Sequence, residues 1–319
     1  MTKKIVTIGG GSGQYILLSG LRDVPDFDIS AVVSMVDSGG STGRLRDELG
    51  VLPPGDILKC VLALSPFRES AREILQKRFK NNNKLAEHSV GNMLLTMLSQ
   101  YCNDFSEGVR ALGDVLEVRG RVFPVTTDKA TLVAELTDGS WLFGESAIDL
   151  PRGDQREKIK RTFLVPHHNE SIKVYPQVLE VIKEADYIIF GPGDLYTSII
   201  PNLLVEGVKE ELGRTRAKLV YVANIMTKFG ETEDFTALDL IVRLEDFLPR
   251  KLDWVIFNDL EPDSEILDRY KKQKASFVKP LPEDEVSGRK IFNQDLLSVS
   301  GDVIRHDPDK LSQFLRAKF

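Results

Sequence analysis

Cysteine is scarce: Cys60 and Cys102 are the only two in 319 residues. Neither stands in a metal-ligand spacing and both have apolar neighbours, which excludes a disulfide framework and a cysteine zinc site and predicts two reduced, partly buried thiols. Long apolar runs are lacking too. No segment reaches the roughly 18 residues of a membrane helix, so no membrane span is expected. Met1-Thr-Lys-Lys4 leads into an apolar strand without the longer apolar stretch of a signal peptide, which points to the cytoplasm. Positive charge is not in excess: the net charge is −6 and the sequence pI about 5.5. That argues against nucleic acid as a partner gripped over the whole surface. No repeat, low-complexity tract or linker interrupts the chain, so residues 1–319 are expected to form one domain.

What is present is an α/β pattern. Ile5–Ile8 is a short apolar strand stopped by glycines, Tyr15–Leu21 has helical spacing, and Ile29–Val36 is a second, continuous apolar strand. Strands of this kind joined by a helix predict a mostly parallel sheet with helices on both faces. Pro53-Pro54 introduces a helix over about 57–64, residues 68–118 read as mainly helical, and 81–83 (Asn-Asn-Asn) as a loop. Ser89 is placed to cap a helix running to Tyr101. A β-rich excursion is expected at about 119–175, with Asp138-Gly139 as a hairpin signal. Strands then recur at 187–190, 219–223 and 252–257, and a helix over about 310–318 closes the chain.

Four loops at strand ends carry unusual chemistry. In open parallel sheets ligands bind beyond the carboxyl ends of the strands, where glycines expose backbone N–H groups to anions and the next helix adds its positive end. Gly9 to Gly13 lies between strand and helix, with Gly10, Gly11, Ser12 and Gly13 as phosphate or ribose contacts. It is neither the dinucleotide fingerprint, whose third glycine falls on Gln14 or Ile16 here, nor a P-loop, since Gly-Lys-Ser/Thr is missing. The second loop offers Asp37 for a divalent cation or a sugar hydroxyl, then Ser38, Gly39, Gly40, Ser41 and Arg44 for an anion. In the third, Gly191 and Gly193 precede Asp194 and Thr197; Asp194 serves either a ligand or merely the next helix cap. In the fourth, Asn224 and Thr227 can reach a base edge or a hydroxyl. His88, before Ser89, Gly91 and Asn92, could face the same cleft; taken alone it reads as a surface or cap residue. His167 and His168 are adjacent and point apart, which argues against a joint metal site.

Taken together, these strings are similar to the gluconeogenesis-factor (YvcK-type) branch of the CofD-like family, whose enzymatic branch is the 2-phospho-L-lactate transferases. The similarity rests on 9–13, the stretch from Asp37 to Asp56, His88–Leu95, Gly191–Leu204, Asn224–Thr232 and Arg305-His-Asp307. The resemblance implies a Rossmann-like fold and a UDP-sugar ligand such as UDP-N-acetylglucosamine. It also implies a role in cell shape and wall synthesis during gluconeogenic growth, with wall-synthesis proteins and a homodimer among the partners considered. Tyr270 and Arg305 stand where that branch uses a tyrosine and an arginine for the nucleotide sugar; a ring can stack on base or sugar, and a guanidinium can neutralise a diphosphate. The family's second loop usually carries two consecutive aspartates, whereas Ser38 follows Asp37 here, which weakens the case for a tightly held metal. No cofactor is required for the binding reading. The alternative is a Mg²⁺-dependent transferase acting on a nucleotide-diphospho donor, with Asp37 on the metal and Asp194 positioning or deprotonating the acceptor. A third reading is a scaffold for wall-synthesis proteins. Binding in either form requires Gly11, Gly40 and Gly193 to meet in one electropositive cleft.

Overall fold

The computed structural model describes residues 2–80, 88–151, 153, 155–282 and 285–319; the expected loop at 81–83 lies outside them. The chain begins with β1 (Lys3–Gly9), α1 (Gly11–Leu21) and β2 (Phe27–Val33), then α2 (Gly40–Leu49), α3 (Gly55–Leu64), α4 (Arg68–Leu75), α5 (Val90–Cys102) and α6 (Phe105–Val115). Next come β3 (Arg121–Pro124), β4 (Ala130–Leu136), β5 (Trp141–Phe143), the short α7 (Glu145–Asp149) and β6 (Ile159–Pro166). They lead to α8 (Pro176–Glu184), β7 (Tyr187–Phe190) and a π-helical turn over Leu195–Ile199. The chain continues with α9 (Ile200–Leu203), α10 (Val208–Arg214), β8 (Lys218–Val222), α11 (Ala237–Glu245) and β9 (Trp254–Asn258). The carboxyl-terminal part holds α12 (Ser264–Lys272), β10 (Glu285–Val286), β11 (Arg289–Gln294), β12 (Leu297–Ser300), β13 (Val303–His306) and α13 (Pro308–Lys318).

The main sheet runs β10-β11-β9-β8-β7-β1-β2-β3, parallel throughout except for the antiparallel β10 edge. Its central strands are mostly apolar and buried on both faces: all four residues of β7 and all five of β9 are buried. The order places β1 between β2 and β7. Right-handed crossovers that leave β1 and β7 in opposite directions send their helices to opposite faces, which opens a crevice between the two strand ends. This is the expected Rossmann-like architecture. Two antiparallel sheets accompany it, β5-β4-β6 and the β12-β13 hairpin.

Two glycine segments expected as loops are instead the first turns of helices. Gly10 and Gly39 are N-caps of α1 and α2, and neither supplies a side-chain cap. The cause at α1 is Gln14, wholly buried. It accepts from Thr7 Oγ1 at 2.7 Å and donates to the Val32 carbonyl at 2.7 Å, which fastens the opening turn to β1 and β2. A glycine at the fingerprint position could not do this. The helix after Gly193 opens as a π-turn rather than an α-turn, with Ile199 N–H bonded to the Asp194 carbonyl at 3.1 Å, and Pro201 follows it without an N–H to continue the ladder. Residues 289–306, left unassigned from sequence, form β11 and the hairpin; only the first of these gains a parallel neighbour, β9.

At the amino ends of β7 and β9 an aromatic cluster closes the sheet. The terminal Phe319 stacks on Tyr187 at 3.7 Å and 8°, with Trp254 tilted against both. Cys60 is buried in α3, where burial pushes its thiol well above the usual range, and Cys102 is half-buried and unpaired.

Candidate functional site

At the opposite, carboxyl end of the strands lies a cavity of about 730 Å³, within the size range of small-molecule sites. One rim is the first turn of α1. A side chain at Gly13 would stand 1.8 Å from the Pro192 carbonyl oxygen, and one at Gly11 would stand 2.1 Å from Asp56 Oδ1. The missing Cβ atoms therefore let the amino end of α1 approach both the Gly191-Pro-Gly193 loop and α3. Its unsatisfied N–H groups face the cavity with the positive end of the helix behind them.

The wall beside this rim is acidic. Asp37, Asp56 and Glu145 line it, brought from the end of β2, the first turn of α3 and α7. Asp37 is raised above the ordinary carboxylate range by burial and then by Asp56, although Gly39 N–H donates to its Oδ1 at 2.8 Å. Glu145 is pushed up to about 7 by burial, Asp37, Asp149 and Asp56, in that order. Lys59 answers part of this charge: its Nζ lies 3.0 Å from Asp56 Oδ1 and 3.4 Å from Ser12 Oγ. Burial pulls Lys59 down, but Asp56 and Asp37 outweigh it and raise the ammonium.

A second charge cluster forms the floor. Lys228 contacts Asp149, meets Asp194 at 2.7 Å, and reaches Glu231 at 3.2 Å. The Glu231 side chain is 1% exposed and also accepts from Tyr196 N–H and Thr197 Oγ1, both at 3.0 Å. Burial drives Glu231 upward and Asp194 adds to it, while Lys228 opposes them. The three carboxylates lie within 4.8 Å of one another, close enough to share a metal ion. The ammonium already sits among them and supplies the cation.

The far side is the β12-β13 hairpin. Tyr270, on α12, accepts from Ile304 N–H at 2.9 Å through its hydroxyl and so ties α12 to the hairpin. Arg305 follows on the same strand, exposed, with no ion-pair partner among the described residues, and His306 beside it is 6% exposed. Asn224 Oδ1 accepts from Gly193 N–H at 3.1 Å, which joins the end of β8 to the glycine loop.

Of the residues singled out from sequence, Gly11, Ser12, Gly13, Asp37, Gly193, Asp194, Asn224, Thr227, Tyr270 and Arg305 line this one cavity. Gly10, Ser38, Gly39, Gly40, Ser41, Arg44, Asn92, Gly191 and Thr197 stand outside its lining. Several of these support it. Asn92 is buried and donates to Ser41 Oγ at 3.3 Å and Thr42 Oγ1 at 3.5 Å, and Thr42 in turn bonds Asp37. Ser38 Oγ accepts from Ser146 N–H at 3.0 Å, which docks α7. His88 is neither a surface nor a cap residue: it is 2% exposed, with Nδ1 2.9 Å from Ser41 Oγ.

Of the three glycine turns expected to meet, Gly11 and Gly193 line this cavity and Gly40 does not, and the expected electropositive cleft is wrong in sign. Five carboxylates line it (Asp37, Asp56, Glu145, Asp149 and Asp194) against Lys59, Lys228 and Arg305. Its attraction for anions is confined to helix ends and to Arg305. Asp56, Glu145 and Lys228 were not singled out from sequence. Asp56 and Lys228 stand inside strings that were, so a carboxylate or amine in a glycine-flanked strand-end string was the available signal; Glu145 has none.

The family model described as 2-phospho-L-lactate transferase CofD matches residues 5–297. The gluconeogenesis factor of Bacillus subtilis (strain 168) is 40% identical over 314 residues, covering 98% of this chain and 96% of its own. That of Listeria innocua is 38% identical over 315 residues, covering 98% and 95%. The crystal structure of protein BH3568 from Bacillus halodurans is similar with a TM-score of 0.91 at 36% identity, covering 99% of this chain and all of that one. With similarity of this extent in sequence and in fold, the chain belongs to the CofD family, in its gluconeogenesis-factor branch.

Proposed function

We propose that this chain is a regulatory protein of gluconeogenic growth that binds a nucleotide sugar of the UDP-N-acetylglucosamine type and supports cell shape and wall synthesis. The carrying observation is the meeting of the Gly11–Gly13 and Gly193 backbone with Tyr270 and Arg305 around one cavity. Backbone N–H groups suit a pyrophosphate, Arg305 suits its charge, and the Tyr270 ring suits a base or sugar face. The names of the relatives support the metabolic part of the reading.

Calorimetric titration with UDP-N-acetylglucosamine tests it. Saturable binding is expected, weakened at least about tenfold in Arg305→Ala by loss of a charge-assisted contact. No heat and no thermal shift at millimolar ligand would overturn it.

The acidic wall favours a second reading, Mg²⁺-dependent transfer of a phosphoester from a nucleotide-diphospho donor. Sequence alone had offered one carboxylate; Asp56 and Glu145 stand beside Asp37, and an all-oxygen donor set fits Mg²⁺. Bound there, the ion would neutralise charge on a diphosphate. Asp194 is ion-paired to Lys228, so its role in this reading is to position an acceptor rather than to take its proton. Release of free nucleotide from a donor panel supports this reading, and a flat time course with Mg²⁺ present removes it.

A further inference from the structure

We infer that His306 selects the base of the bound nucleotide, its Nε2 accepting a hydrogen bond from the imide N–H of a pyrimidine-2,4-dione ring. This rests on the nucleotide-sugar reading above and adds to it a residue that determines specificity.

His306 lines the cavity and is 6% exposed, yet its Nε2 has no hydrogen-bond partner among the described residues. The ring bonds the Ala223 backbone. A carbonyl only accepts, so the Nδ1–H makes that bond, and the tautomer leaves Nε2 as a buried acceptor. Burial holds the imidazole far below its ordinary range, at about 4, which keeps it neutral and accepting throughout physiological pH. A buried acceptor without a donor is costly, and a ligand N–H would relieve the cost.

Two other groups of the cavity lining are donors. Asn224, next to Ala223, has its Oδ1 occupied by Gly193 N–H, so its amide presents NH₂ elsewhere. Thr227 Oγ1 accepts from Ser276 N–H at 2.8 Å, which leaves its hydroxyl proton to donate. Both line the same cavity. An acceptor accompanied by two donors complements an N–H flanked by two carbonyls, the edge of a uracil-type ring. Cytosine presents a lone pair at that ring nitrogen, and guanine sets an amino group beside its N–H; each opposes like with like.

The test compares binding of UDP, 3-methyl-UDP, CDP, GDP and inorganic pyrophosphate to the intact protein and to His306→Phe, which keeps a planar ring and removes the acceptor. UDP is expected to bind at least about tenfold more tightly than 3-methyl-UDP, CDP and GDP. His306→Phe is expected to bring the four nucleotides within about threefold of one another while pyrophosphate affinity stays unchanged. Wild-type binding of UDP and 3-methyl-UDP within twofold overturns the assignment and leaves the nucleotide-sugar reading standing. Failure of all five compounds to bind overturns that reading, and the assignment with it. Should His306→Phe not fold, the wild-type series decides.

Discussion

Glu145 is a carboxylate of the acidic wall whose titration is moved into the neutral range. Its folded pKa of about 7 lies above the ordinary 4.5, so between those values the native state holds a proton that the unfolded chain has released. Stability from this group is therefore present below about 4.5 and lost as pH rises through 7. Glu145→Gln is expected to remove that slope and to raise the ligand-free stability at pH 8 by about 1–2 kcal/mol. Urea unfolding at pH 5 and pH 8 checks it, and an unchanged slope would contradict the burial argument. Lys228 makes the complementary case. Replacing it by alanine leaves Asp149, Asp194 and Glu231 mutually repelling, at a cost of about 2–4 kcal/mol. Because their oxygens lie within 4.8 Å, the Lys228→Ala protein should recover part of that loss in millimolar Mn²⁺, whereas wild type should not respond at this position. Thermal unfolding with and without the ion reads the difference.

Elements meet at this site only because specific side chains are missing. The contact between the first turn of α1 and the Gly191–Gly193 loop leaves no room for a methyl group, since the obstacle 1.8 Å from it is backbone. Gly13→Ala is expected to cost about 2–3 kcal/mol and to weaken nucleotide binding, because α1 must withdraw from the cavity to relieve the clash. A variant with wild-type melting temperature and wild-type affinity would show that the two elements need not touch. On the hairpin side the Tyr270 hydroxyl holds Ile304. Tyr270→Phe should thus lower affinity for the nucleotide sugar and for pyrophosphate alike by loosening Arg305, as read by calorimetric titration with each.

Over the whole molecule, the aromatic cluster and the cavity occupy opposite ends of the sheet. The Tyr187–Trp254–Phe319 cluster closes the amino ends of the strands and the cavity lies at their carboxyl ends. Phe319→Ala should cost about 1–2 kcal/mol in stability with no change in ligand affinity, to be measured by denaturation and calorimetry on one preparation. Apolar runs such as 187–190 and 254–257 made the central strands legible, because a strand buried on both faces has no polar positions to blur it. The β11 strand and the hairpin were not legible: Arg289–Gln294 mixes charged, amide and apolar residues, and its pairing is decided by β9 alongside it. The helical character of Gly11–Gly13 and Gly40–Gly43 was hidden for a similar reason. Glycine has poor helix propensity, and at Gly11–Gly13 the turn is held by Gln14 reaching Thr7 and Val32, contacts that local spacing does not reveal.

By itself the sequence determined the central strands and their following helices and the branch of the family, because these are written in local patterns and long motif strings. The tertiary structure alone decided the sign and partners of the site. Asp37, Asp56 and Glu145 become one charge cluster, and Lys228 the counter-ion of another, only when β2, α3, α7 and the segment after β8 converge; their proton affinities follow from burial and mutual distance, neither of which exists in an unfolded chain.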